Sequence, residues 1–155
     1  MHTIRETLAA QPLFESLDDE ILDLLAGCAR HHRIRAGERI LAEGAPAGTF
    51  HLIREGRVAV GIYAPEAGLV TVETKGPGQV LGWSWLFPPY RWHYDAEAIE
   101  PVATIQFDGL CIRGKCDADA HLGYELMKRF SALLDENLRA TQLRLLDVYN
   151  RATVR

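Results

Sequence analysis

The chain has 155 residues, a formal net charge of −4, and 48% hydrophobic and 25% charged residues. That length suits one domain able to bury roughly 70% of its unfolded surface. The acidic balance gives no basic footprint for nucleic acid, and no apolar run approaches the roughly 20 residues of a membrane span.

The opening stretch, MHTIRETLAAQP, lacks the apolar centre of a signal peptide, which points to the cytoplasm. Cys28, Cys111 and Cys116 cannot all pair within one chain, and the C-x4-C spacing of the last two lacks the second pair a zinc site wants. Free thiols in a reducing compartment are the expectation.

Residues 1–28 are expected to be helical. Leu17, Ile21, Leu24 and Leu25 form an apolar stripe at helical period, with Ser16 or Asp18 as N-cap and Gly27 near the stop. Residues 29–107 change to short strands and turns. Between 36 and 60, Gly37, Gly44, Gly48 and Gly56 punctuate apolar runs. Phe50 to Ile53 lead to a Glu55-Gly56 turn, and the alternating Val58-x-Val60 follows. Such a chain of antiparallel strands with glycine corners builds a jelly roll, or β-roll.

Residues 108–155 return to helix. Asp117 and Asp119 supply a cap, and a stripe of Leu122, Leu126, Phe130, Leu133, Leu134, Leu138, Leu145 and Tyr149 predicts a helix over about 118–149. Roughly 30 residues of helix span about 45 Å, more than a small roll covers. The surplus apolar face predicts a homodimer through this helix, with Phe130, Leu134, Leu138 and Leu145 in contact.

The series Gly37-x-x-Ile40, Glu43-Gly44 and Ile53-x-x-Gly56-x-Val58 resembles the opening of the cyclic-nucleotide-binding domain. That family includes catabolite-activator and FNR-type sensors, kinase regulatory subunits and gated channels. The order helix, β-roll, short helix, long helix matches it over roughly residues 12–150. The resemblance implies a mainly β fold with flanking helices, and the length leaves a single domain, with no DNA-binding domain expected. It also implies a phosphate-binding cassette, and Gly78, Gly82 and Leu86 of GPGQVLGWSWL match that cassette's opening.

The chemistry of the cassette departs from the family. Trp83 stands where a glutamate would hold the ribose hydroxyl, and it has no acceptor. Counting back from Ala98 puts Trp92 at the phosphate arginine and His93 at the hydroxyl position, with Arg91 one residue away. Pro88-Pro89 removes two backbone donors from the same loop. The ligand-binding residues implied are Leu81, Gly82, Trp83, Ser84, Trp85, Arg91, Trp92, His93 and Tyr94. All three tryptophans fall within ten residues there, and core packing and a remodelled pocket both account for them.

The function expected is a non-catalytic regulatory module that binds a small ligand, either a cyclic nucleotide weakly or a different molecule. It would signal through its dimerising helix to a separate output protein. Few residues follow Tyr149, too few for a helix-turn-helix, so no direct contact with nucleic acid is expected. The alternative is a scaffold that has lost its ligand and serves as a partner-binding subunit. A cupin-type metalloenzyme fits less well, because His51 and Glu55 supply only part of a His-x-His…Glu motif.

Overall fold

The computed structural model describes residues 2–153. Helix α1 (Ile4–Ala9) begins at a capping box, in which Thr3 and Glu6 satisfy one another's amides. A 3-10 turn at Pro12–Phe14 leads to α2 (Asp19–Gly27). Asp18 is the N-cap residue of α2, but its side chain makes no bond to the helix amides. The Asp18 carboxylate instead faces His121 at 3.3 Å. Leu8, Phe14, Leu17, Ile21, Leu22 and Leu25 are all buried, so this N-terminal segment is a cap packed on the sheet.

Eight antiparallel strands make two four-stranded sheets. The strands are β1 (Ala29–Ile34), β2 (Arg39–Leu41), β3 (Thr49–Glu55), β4 (Val58–Ala64), β5 (Gly68–Lys75), β6 (Val80–Leu81), β7 (Asp95–Ala98) and β8 (Val102–Asp108). One sheet runs β1-β8-β3-β6 and the other β2-β7-β4-β5. This is the β-roll expected from the glycine-punctuated strands. The turn from β3 to β4 uses Gly56 at φ +86°, and a Cβ there would stand 2.3 Å from the Pro101 carbonyl.

Alternation along β3 and β8 divides the core in two. Phe50, Leu52, Ile105 and Phe107 face the helices, where Phe50 stacks on Phe107 with ring centroids 4.3 Å apart. Ile53 and Val102 face the second sheet and meet Leu41, Val58, Val60, Ala96 and Ala98. His51 is buried among the strands, its Nδ1 3.1 Å from the Thr104 hydroxyl. Burial, with His32 and Arg30 nearby, pushes its imidazole down to about 4.

After β8, α3 (Gly109–Ala118) is capped by Asp108, and α4 (Ala120–Thr153) follows a break at Asp119. Asp119 Oδ1 accepts from the amides of His121 and Leu122, which starts the second helix. With 34 residues α4 is about 50 Å long. Phe130, expected at a dimer contact, is instead fully buried in the core with Leu122 and Leu126, packed on Phe50 and Trp85, whereas Leu138, Leu143, Leu145, Leu146, Val148 and Tyr149 are all exposed. The stripe is therefore covered for its first third and open beyond it. Among the described residues, no helix is long and apolar enough to cross a membrane.

Candidate functional site

A hollow of about 340 Å³ opens between the roll, the segment after β6 and the middle of α4. The roll contributes Leu41, Val60, Val72 and Leu81. The segment after β6 contributes Gly82, Trp83, Ser84, Trp92, His93 and Tyr94, and α4 contributes Leu134, Asn137, Leu138 and Thr141. The four α4 positions are spaced at i, i+3, i+4 and i+7, one face of a helix.

Seven of the nine residues implied by the sequence line this hollow: Leu81, Gly82, Trp83, Ser84, Trp92, His93 and Tyr94. Trp85 lies elsewhere. It is fully buried in the helix-side core, stacked on Phe50 at 4.8 Å and edge-on to Phe130. Arg91 also points away, because its guanidinium donates to the Gly44 carbonyl at 2.8 Å on an exposed surface. The reason is that residues 90–92 zip onto the loop after β2. The Ala47 amide donates to the Tyr90 carbonyl, the Trp92 amide to Ala45, and the Gly44 amide to Trp92. This pairing alternates side chains, sending Trp92 inward and Arg91 out.

Trp92 is buried in the second core cluster, and its indole edge covers Gly82. A 3-10 turn at Ser84–Leu86 follows, and the Pro88–Pro89 bond is cis. Arg113 of α3 ties this segment down, donating to the Trp85 carbonyl at 2.6 Å and lying 3.7 Å from the centre of the Tyr90 ring.

Two charged residues that sequence reasoning missed also line the hollow. The Lys75 ammonium lies 3.0 Å from the Glu73 carboxylate, and their side chains are only 4% and 22% exposed. The same ammonium is 5.5 Å from the centre of the Trp83 ring. A signal existed: positions two apart on a strand face the same way, so Glu73-x-Lys75 sets opposite charges side by side. The pair is neutral as a unit, so Lys75 is no free cation for a phosphate. Asn137 adds an uncommitted donor, since its Nδ2 is buried without a hydrogen-bond partner.

Residues 31–119 match the family model of the cyclic nucleotide-binding domain, more than half of the chain. The chain belongs to the cyclic nucleotide-binding domain family. A cyclic nucleotide-binding protein of Geobacter metallireducens is 28% identical, with a TM-score of 0.79 over 89% of this chain and 99% of its own. A cyclic nucleotide-binding domain of Methylobacillus flagellatus shares the fold at 22% identity and TM-score 0.75, covering 93% of this chain and 81% of its own. The N-terminal domain of a transcriptional regulator of Streptomyces coelicolor does so at 20% identity and TM-score 0.66, covering 90% and 95%. A search of curated proteins found no match.

Two indoles, Trp83 and Trp92, stand in the lining of the hollow. Trp83 and Trp92 offer one N–H donor each and no charge, and the hollow's ammonium is held by Glu73. Among the described residues, no three His, Cys, Asp or Glu side chains cluster closely enough to hold a metal ion. His51 turns to Thr104 inside the roll while Glu55 is exposed at the strand end, so the two do not form a ligand pair.

Proposed function

We propose that this domain is a non-catalytic sensor module. It takes a small ligand into the hollow between roll and α4 and passes occupancy to a second copy of the chain through α4. One observation carries the reading. The helix that walls the hollow, through Leu134, Asn137, Leu138 and Thr141, continues into an uncovered apolar face at Leu145, Leu146 and Tyr149. A ligand that prefers one seating of α4 biases whatever that face meets, which is the minimum a two-state signalling element requires.

The orphan donor of Asn137 supports a ligand rather than empty space. A buried amide without a partner costs about 1–3 kcal/mol, and an acceptor on a bound molecule removes that cost. The walls favour a flat, largely apolar molecule, stacked on Trp83 and accepting from Asn137. A separate protein would read the dimer state.

Mass spectrometry of small molecules released from freshly purified protein tests the proposal. A stoichiometric compound that Asn137→Leu no longer retains supports it. A second reading, a ligand-free scaffold that only pairs with partners, is favoured by Trp92 filling the space over Gly82. That reading prevails if no compound is released and a library of nucleotides and aromatic metabolites leaves tryptophan emission unchanged.

A further inference from the structure

Cys28 and Cys111 are 83 residues apart in sequence, yet their Sγ atoms lie 3.1 Å from one another. The backbone holds them there. Cys28 is the C-cap of α2 and Asp108 the N-cap of α3, and the Asp108 amide donates to the Cys28 carbonyl at 2.8 Å. Asp108 Oδ1 then accepts from the Cys111 amide at 3.0 Å, fixing Cys111 in the first turn of α3.

The surroundings suit sulfur chemistry rather than inert packing. The Lys115 ammonium reaches to 3.6 Å from Cys28 Sγ, and Cys111 sits at the positive end of a ten-residue helix. Lys115 favours the Cys28 thiolate, but burial and then the Cys111 sulfur outweigh it and push the Cys28 thiol up. Cys111 is partly exposed, and a surface hollow lined by Arg30, Gly48, Asp108 and Leu110 reaches Cys28. Cys116 differs in geometry: among the described residues neither a second sulfur nor a lysine is hydrogen-bonded to it, and burial with the carboxylates of Asp117 and Asp119 pushes its thiol up.

We propose that Cys28 and Cys111 are a redox-active dithiol, a site of reversible oxidation by hydrogen peroxide that closes to a disulfide. The Cys111 thiol gives up its proton, and the thiolate attacks one oxygen of hydrogen peroxide, breaking the O–O bond to form Cys111 sulfenic acid and hydroxide, which takes up the released proton to become water. Cys28 sulfur then attacks the sulfenic sulfur, making the S–S bond. The displaced hydroxide takes the Cys28 proton and leaves as a second water. Two thiols lose two electrons and two protons, and the peroxide is reduced to two waters. Because α3 also carries Arg113, which holds the Trp85 carbonyl and Tyr90, the bond would clamp the segment beside the hollow to the end of α2.

The test is hydrogen peroxide titration of the reduced protein, alkylation of remaining thiols, and peptide mapping without reductant. The expected product is a Cys28–Cys111 linked peptide, reopened by dithiothreitol, with both thiols lost about tenfold or more faster than Cys116. Cys116→Ser should give the same product. Cys28→Ser should stop at a Cys111 sulfenic acid that dimedone traps. The proposal is overturned if Cys116 oxidises as fast as the pair, or if Cys111 proceeds to sulfinic acid while Cys28 stays alkylatable. Resistance of both thiols to peroxide that oxidises free glutathione also overturns it.

Discussion

Trp92 lies across Gly82: a Cβ on that glycine would stand 2.7 Å from the indole. Gly82 also adopts φ +91°, a conformation that side chains other than glycine rarely tolerate. Gly82→Ala should therefore destabilise the fold by about 2 kcal/mol or more, from backbone strain and overpacking together. Urea unfolding measures this. A Trp92→Leu partner mutation should recover only the overpacking part, and strict additivity of the two would show that the contact carries no energy.

Cyclic AMP and cyclic GMP should bind more than about tenfold more weakly than to a domain with the intact cassette. Each missing charge-assisted contact to a buried ligand removes roughly 1.5–3 kcal/mol. Trp83 and Trp92 line the hollow, so tryptophan emission reports occupancy. Arg91→Ala should leave any response unchanged, because that side chain is spent on the Gly44 carbonyl. A saturable submicromolar response to cyclic AMP, abolished by Arg91→Ala, would show that the loop re-routes to bring the guanidinium inward.

The open face of α4 predicts a dimer. Leu145 and Tyr149 are 56% and 69% exposed within one chain and lie beyond the hollow. Leu145→Glu, Tyr149→Glu should yield monomers by light scattering while changing monomer stability by only about 0.5 kcal/mol. Wild-type protein that is already monomeric at high micromolar concentration would remove the dimer from the proposal.

His51 gives the fold an acid sensitivity. Its folded-state value lies near 4, below the ordinary 6.5, so the unfolded chain holds its proton more tightly. Between those values the unfolded state binds more protons, and stability falls as pH drops through the window, by about 3 kcal/mol in all. His51→Gln can still bond Thr104 but does not titrate there. Its unfolding free energy should fall less steeply from pH 7 to pH 4, and parallel profiles for the two proteins would contradict the assignment.

The roll and the long helix were legible because both rest on local patterns. Glycines at strand corners and strict alternation at Val58-x-Val60 specify turns and faces within a few residues. The Leu122–Leu126–Phe130 spacing does the same for a helix. The α4 residues that reach the hollow were less visible, since Asn137 and Thr141 look like ordinary surface positions on an apolar-striped helix.

What the sequence determined by itself was the order of elements, the position of the tryptophan-rich loop and the excess apolar length of α4. Tertiary structure decided which tryptophan went where. Three indoles within ten residues separate into the hollow's wall at Trp83, the helix-side core at Trp85, and the sheet-side core at Trp92, which also reaches the hollow. No local pattern carries that choice, because it depends on the loop at Gly44–Ala47 pairing with residues 90–92 and fixing which side chains turn inward. The Cys28–Cys111 approach is likewise invisible in sequence. It exists only because β1 pairs with β8, Ala29 opposite Phe107, which brings the end of one helix to the start of another.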